Sequence, residues 1–504
     1  MATPIDSIAS TSSRPKRGGL WAGVGALLTA GLITDTIYGS MYGPLVTSIM
    51  AETNFTAAEV GWFFNATTLG TAVSVALSSR MGDIYGSRKV LIAVSIVALL
   101  GSLVVGLMSD FWPLVIGRFL IGFSAGLPLS WGIVRPRADA TQTQRISVWL
   151  GTVCSLFTPI ALVLAGLSAT VGLSWRSVTW FIFGLFAVQL FFALASRPAP
   201  IQPRSTTKTT NNLDWAGAIG LGLWVTAILL GVNAGAENGW TSPIVLAYFA
   251  AAAVLFVAWL FQQRRATSPV MSFENMDLRQ TASGYLAMMV IAFLGLSFFV
   301  ALPNMMQNPS WGLGLDPLTS SYPLLMVFPG TLVAGQLVKS LMPRIGPKAF
   351  LPLAAVSSLV VTLGIAFAHD SYWLFFLWSF LYGALVMTIY VSGYMLVAAS
   401  TRQDNTSSVF GVLAVIQYLS VAVATAIVFI VIAPGPDGFT PESSWTGLWV
   451  GLSVLLVAVA VVMRLLAPRE LTDRHAVSAL GDLTDGLETG VVPPAGSVPS
   501  GAVK

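Results

Sequence analysis

Apolar segments of close to 20 residues recur along almost the whole of this 504-residue chain, separated by short polar connections. A helix needs about 20 residues to cross the hydrocarbon of a bilayer. In lipid every backbone N–H and C=O must find a partner within the protein, so only helices and closed barrels span a membrane. No alternating ten-residue pattern points to a barrel. The chain therefore reads as an all-α, polytopic membrane protein. Its charge agrees: 55% of residues are hydrophobic and only 9% are charged, too few to keep the surface of a soluble protein of this size wet.

The spans are expected near 20–41, 59–79, 90–108, 112–134, 147–168, 177–195, 215–233, 243–261, 283–302, 320–338, 351–368, 373–398, 408–433 and 446–466, fourteen transmembrane helices in all. The first is too long for a cleaved leader, and no short apolar run ending in an A-x-A site follows Arg14, Lys16 and Arg17. It is expected to stay in the mature protein. Charge supplies an internal test, because one missed or invented span would invert the assignment of every later loop. With the N-terminus in the cytoplasm, all of the 25 Lys and Arg except Arg118 and Arg176 fall in cytoplasmic loops or tails. The outward loops instead carry Glu52, Glu59, Asp110, Glu237, Asp316, Asp370, Asp437 and Glu442. Both termini are thus expected in the cytoplasm, with the chain in the plasma membrane and the lipid bilayer as its main surroundings.

The same distribution removes nucleic acid as a partner, since the net charge of +4 is dealt out loop by loop rather than gathered in one patch. The single cysteine, Cys154, permits no intrachain disulfide and no cysteine-built metal site. There are only two histidines, His369 and His475, and no H-E-x-x-H, G-x-S-x-G or Walker loop. The residues thus point to no enzyme, no metal and no cofactor.

Polar stretches divide the chain into a cytoplasmic tail at 1–19, a six-helix half at 20–196, a linker at 197–212, a helical hairpin at 213–265, a second six-helix half at 266–467 and a tail at 468–504. An internal echo supports the halves: "SSRMGDIYGSRKVLI" and "KSLMPRIGPKAFL" are both short and basic, with a Gly two residues before a base. The hairpin is then an insertion between them.

Four motifs carry a family resemblance. "RMGDIYGSRK" resembles the G-x-L-A-D-x-x-G-R-K signature of the major facilitator superfamily, matching at Gly82, Asp83, Gly86, Arg88 and Lys89. "LITDTIYGSMYGPLV" resembles the first-helix motif of its fourteen-helix drug:proton antiporters at Asp35, Thr36 and Ile37, and "LVIGRFLIGFSAG" their fourth-helix motif at Arg118 and Gly122. "LDWAGAIGLGLWVTAILLGVNAGAENGW" resembles the start of their inserted hairpin. The antiporter motif of the fifth helix departs: "CSLFTPIALV" keeps only Pro159, with Cys154, Thr158, Leu162 and Val163 at the four glycine positions.

The resemblance implies a two-fold built bundle plus inserted hairpin, and a monomer that exports amphipathic or cationic small molecules in exchange for protons. The altered fifth helix keeps open an uptake symporter or facilitator for a small organic metabolite. A non-transporting receptor or scaffold is the alternative of another class. Asp35 stands in an apolar run, where a carboxylate costs about 2.5–3.5 kcal/mol to insert on translocon scales. Arg118 is expected at a similar depth, so the two can form a proton-coupling pair or a static packing pair. In the family the 82–89 loop is a cytoplasmic gate that holds the two halves together through Asp83. Polar and aromatic groups at membrane depth, namely Tyr38, Tyr42, Asn65, Trp131, Tyr390, Tyr394 and Gln417, are candidate lining of a central substrate cavity.

Overall fold

With no water to solvate the backbone, long apolar stretches satisfy their amides within a helix, and every regular element among the described residues is helical. The structure, a computed structural model, describes residues 20–35, 41–124, 126–134, 137, 138, 140–197, 214–266, 269, 278–399, 406–433, 435 and 439–466. In chain order the α-helices are α1 (Leu20–Asp35), α2 (Val46–Thr53), α3 (Ala57–Met81), α4 (Ser87–Leu107), α5 (Phe111–Gly122), α6 (Gly126–Val134), α7 (Ala140–Thr170), α8 (Arg176–Ala195), α9 (Trp215–Asn238), α10 (Pro243–Arg265), α11 (Leu278–Leu296), α12 (Leu302–Gln307), α13 (Val327–Ile345), α14 (Pro347–Ser357), α15 (Leu359–Phe367), α16 (Tyr372–Leu381), α17 (Met387–Ala399), α18 (Thr406–Val431) and α19 (Glu442–Leu466).

Among the described residues ten helical stretches have the length and apolarity to cross a membrane, from Ile84–Leu107 to Glu442–Leu466. Leu20–Ile33, Leu156–Thr170 and Ile416–Val431 are apolar but shorter. Helix α3 has the length, yet it carries Glu59, Asn65, Thr67, Thr68 and Thr71 and is not among the ten.

Several expected spans are broken, each at an identifiable cause. The first, expected over 20–41, is a helix from Leu20 to Asp35; past residues 36–40, which lie outside the described residues, a tight turn, Gly43–Leu45, leads into α2. Pro44 lies in that turn; a proline has no N–H to donate and is tolerated at the start of a helical turn. The span at 112–134 divides into α5 and α6 around Gly122, Gly126 and Pro128. Wider π-helical turns interrupt two others, at Ser297–Ala301 and Tyr382–Val386, and a third forms the expected loop at Gly82–Gly86.

Helices α1 and α3–α8 form one bundle and α11 and α13–α19 a second, with α3 and α18 each packed most closely on the other across the two. The two bundles share one internal contact pattern. An added Cβ on Gly70 would lie 2.2 Å from the Phe119 carbonyl, and one on Gly122 2.0 Å from the Thr67 carbonyl, so α3 and α5 touch backbone to backbone. In the second bundle Gly330 meets the Phe380 carbonyl and Gly383 the Val327 carbonyl, both at 2.2 Å.

Between the bundles α3 runs along α18, and α9 lies against both. Helices α9 and α10 pair closely: the Trp259 indole donates to the Gly217 carbonyl at 2.7 Å, and the Asp214 carboxylate accepts from Gly217 N–H, Gln262 and Gln263 at 2.8, 2.7 and 2.6 Å. Loops bearing Glu52, Ser109, Arg176, Asp316 and Glu442 meet at one end of the molecule, where Arg176 pairs with Glu52 at 3.4 Å and donates to Ser109 at 3.1 Å. The loops with Arg88 and Arg137 lie together against the last residues of α8, remote in sequence from that acidic end.

Candidate functional site

Arg118 is the residue around which the first bundle closes its polar interior. Glycines at 117 and 122 bring α5 against α4 and α3, leaving the Arg118 side chain no path to the surface. It is fully buried. Its Nε donates to the Phe63 carbonyl at 3.1 Å. Its guanidinium carbon lies 4.6 Å from the Tyr42 ring centre, 4.5 Å from Phe63 and 6.0 Å from Phe64. A cation over a desolvated aromatic face gains about 2 kcal/mol, so these rings hold the charge where water cannot. Nη1 and Nη2 have no hydrogen-bond partner among the described residues. Donors left unmade in a buried site are costly, and such a group is primed to bind an acceptor.

Tyr42 lies at this site, just ahead of the turn that leads into α2. Its hydroxyl shares a 2.8 Å hydrogen bond with Thr179 on α8, and its ring stands edge-on to Phe63 at 5.5 Å and Trp175 at 6.4 Å. Phe64 extends the aromatic cluster to Phe429 on α18, 5.0 Å away between ring centres. The cluster therefore joins both bundles.

Asp35 is the last residue of α1; its side chain lies outside the described residues, as do Tyr38 and the side chain of Tyr394. The expected pairing of Asp35 with Arg118 is accordingly not among the contacts described. Asn65 is fully buried, and both its amide nitrogen and its carbonyl oxygen lack partners. Gly61, one turn earlier on the same face, has the Cβ of Phe429 3.2 Å from an added Cβ, so Asn65 faces α18. Trp131 on α6 and Gln417 on α18 are half-buried, and Tyr390 on α17 is 36% exposed.

The 82–89 loop folds as a π-helical turn leading into α4. Gly82 is buried with Leu129 2.9 Å from an added Cβ, and Gly86 takes a φ of +90°, which a side chain would resist. Arg88 donates to the Ala193 and Leu194 carbonyls at 3.2 and 2.8 Å, placing a cation on the free carbonyls that end α8. Lys89 is exposed, and the Asp83 side chain lies outside the described residues. In the fifth-helix segment α7 continues through Pro159 with Leu162 fully buried at a glycine position of the family motif. Close backbone approach comes instead at Gly166, where an added Cβ would sit 2.5 Å from the Pro317 carbonyl.

Sequence reasoning missed Phe63, Phe64, Trp175 and Thr179, because an aromatic residue in an apolar run carries no mark of what it faces. It also missed Asn304 and Gln307. These join the acidic ends of the bundles: Asn304 donates to the Gly43 carbonyl at 3.0 Å and Gln307 to the Pro44 carbonyl at 3.1 Å.

A family model described as Major Facilitator Superfamily matches residues 28–298. Multidrug resistance protein 3 of Bacillus subtilis (strain 168) is 23% identical over 282 residues, covering 55% of this chain and 52% of that protein, so the match spans about half the relative's length. Tetracenomycin C resistance and export protein of Streptomyces glaucescens is 22% identical over 508 aligned positions, covering 98% of this chain and 86% of that one. The crystal structure of a D-xylose-proton symporter aligns with a TM-score of 0.60 at 15% identity, over 90% of this chain and 98% of the other; a likeness of that kind shows the fold. With more than half of its length matched by the family model, its helices apolar enough to cross a membrane many times and its two bundles packed alike, the chain belongs to the Major Facilitator Superfamily and is a multi-pass membrane protein.

Proposed function

We propose that this protein is a transporter that exports amphipathic or cationic organic compounds in exchange for protons by alternating access, with Asp35 as the proton-binding carboxylate and Arg118 as its conformation-dependent partner. The observation that carries the reading is Arg118: a fully buried guanidinium in an aromatic cage with two nitrogens unpartnered among the described residues. A carboxylate drawn to that site is held ionised, and one moved away from it into apolar surroundings takes up a proton. The names of relatives support the substrate class, since these include multidrug resistance and antibiotic export proteins.

The architecture we propose is fourteen spans, six in each half, with α9 and α10 as the inserted hairpin and both termini cytoplasmic. The acidic end is then the outer face and the basic end the cytoplasmic one, in keeping with the positive-inside rule. Asp83 and its loop serve as the cytoplasmic gate, and Asn65, facing α18, lies on the path between the halves. Uptake of a small organic metabolite is the second reading, favoured by one observation: Leu162 fills a position where the antiporter motif has glycine.

Purified protein in liposomes decides between them. An imposed pH gradient is expected to drive a lipophilic cationic dye against its concentration gradient, and Asp35→Asn is expected to abolish that response while leaving dye exchange without a gradient. Gradient-driven transport that survives Asp35→Asn removes the coupling role. Dye movement in the same direction as the protons favours uptake.

A further inference from the structure

The acidic end of the molecule is joined by side-chain amides of the second bundle that donate to backbone carbonyls of the first. Gly43 and Pro44 lie in the short turn that leads into α2, and the Gly43 carbonyl, which also accepts from the Val46 N–H, keeps a second lone pair for a donor from outside. Across from them Pro303 has no N–H to offer the Phe299 carbonyl four residues earlier, and that carbonyl lies 2.5 Å from where a Cβ on Gly43 would be. Two pieces of irregular backbone thus abut.

Asn304 fastens them. Its Nδ2 donates to Gly43 O at 3.0 Å and also to Val300 O at 2.6 Å on its own helix, which holds the amide in position for the cross-bundle bond. Gln307, one turn on, donates to Pro44 O at 3.1 Å and to the Ser320 hydroxyl at 2.9 Å, and its Oε1 accepts from the Thr47 hydroxyl at 3.3 Å. The bonds that Asn304 and Gln307 make to the first bundle are all neutral; beside them the Thr170 hydroxyl donates to the Asp316 carboxylate across the bundles at 3.3 Å. When the bundles part, water takes both the amides and the carbonyls, so the exchange costs little in either direction.

We propose that Asn304 and Gln307 are gating residues, a reversible amide clasp that closes the outer mouth of the transport path, and that this structure is the outward-closed member of the cycle. The inference rests on the transporter reading and on the outer assignment of the acidic end. Its weakness as a set of bonds is its use: a substrate or proton bound below can tip the equilibrium with modest differential affinity.

The test uses thiol accessibility and needs no substrate. In a Cys154→Ser background, Ser297→Cys places a reporter below the clasp, where the native serine is buried with its hydroxyl unpartnered. Ser102→Cys is the control, buried on α4 within the first bundle. A membrane-impermeant maleimide is applied from outside. Asn304→Ala with Gln307→Ala is expected to speed labelling at Ser297→Cys about tenfold, the shift that losing two neutral hydrogen bonds supports, and to leave Ser102→Cys unreactive. Gly43→Ala, which forces the two backbones apart, is expected to do the same. Unchanged labelling at Ser297→Cys overturns the clasp. Equal acceleration at the control means the variant has unfolded, and the decision then passes to Thr47→Cys with Gln307→Cys: oxidation must suppress labelling and reduction restore it, and labelling indifferent to oxidation overturns the clasp. Altered labelling in a protein that moves no dye under any gradient keeps the clasp and sinks the export reading; gradient-driven export with unaltered labelling does the reverse.

Discussion

Gly122 on α5 and Gly383 in the π-helical turn after α16 stand in the same relation to their neighbours. Each presses its Cα against a carbonyl three residues before another glycine, Thr67 before Gly70 and Val327 before Gly330, with an added Cβ at 2.0 and 2.2 Å. The chain writes the same crossing twice, as "GT" against "F-L-x-G" in 70–71 with 119–122 and in 330–331 with 380–383. Repeated crossings of this kind bring paired helices to van der Waals contact through small residues, which in lipid replaces the missing hydrophobic drive.

Alanine at either crossing must therefore displace backbone. Gly122→Ala and Gly383→Ala are each expected to lower stability by about 1–3 kcal/mol, the usual cost of overpacking. Gly451→Ala, with nothing within 4 Å of an added Cβ, is expected to stay within about 0.5 kcal/mol. Thermal unfolding in one detergent compares all three, and equal midpoints would show that the close approach carries no energetic weight.

The cage of Arg118 depends on a flat guanidinium stacked on rings, so lysine is a poor substitute. Arg118→Lys is expected to reduce gradient-driven transport by tenfold or more, about 1.4 kcal/mol of lost coupling or positioning. Phe63→Leu, which keeps the apolar volume but removes one ring 4.5 Å from the cation, is expected to cost about 1–2 kcal/mol of stability. Transport at the native rate with lysine would show that only charge is required.

Asp316 gives the acidic end a pH dependence. Partial burial alone would raise its carboxyl, but the Thr319 hydroxyl and amide, the Leu318 amide and the Thr170 hydroxyl all donate to it and together hold it below the usual carboxylate value. A carboxyl depressed in the folded state stabilises above its unfolded value, near 3.9, and loses that contribution as pH falls through the folded one. The wild-type melting temperature is thus expected to show no Asp316-dependent change from pH 8 to 5 and to fall below about pH 4. Asp316→Asn should lose stability at neutral pH and respond less to acid. A parallel pH profile for the two proteins would assign the acid sensitivity elsewhere.

Asp214 ties the start of α9 to the end of α10 by accepting from one backbone amide and two glutamines. Asp214→Ala removes the helix cap and both side-chain ties, and is expected to cost about 1–2 kcal/mol. Hydrogen exchange should rise at 215–219 and 260–265 and remain unchanged in α3. Protection that holds at both helix ends would mean packing alone maintains the pair.

The sequence was informative where the controlling property is local. Apolar length specifies a helix wherever it occurs, and charges cannot easily leave the loops they occupy, so the helical class and the gathering of Glu52, Asp316 and Glu442 at one end could be read directly. The turn at "YGP", 42–44, lies just past the expected end of the first span at 41. Tyr42 stands at that turn, and its meeting with Arg118 comes from packing that no neighbouring residue announces.

Tertiary structure alone decided which buried groups meet. Nothing near Arg118 in the chain names Tyr42 or Phe63 as its cage, and nothing near Asn304 names the carbonyl of Gly43. Those partners come from helices far apart in sequence, and the bonds are made to backbone atoms and ring faces that every residue or any aromatic can supply. Local composition fixes where the chain crosses lipid; the contacts that hold and close the bundles depend on distances only the packed helices set.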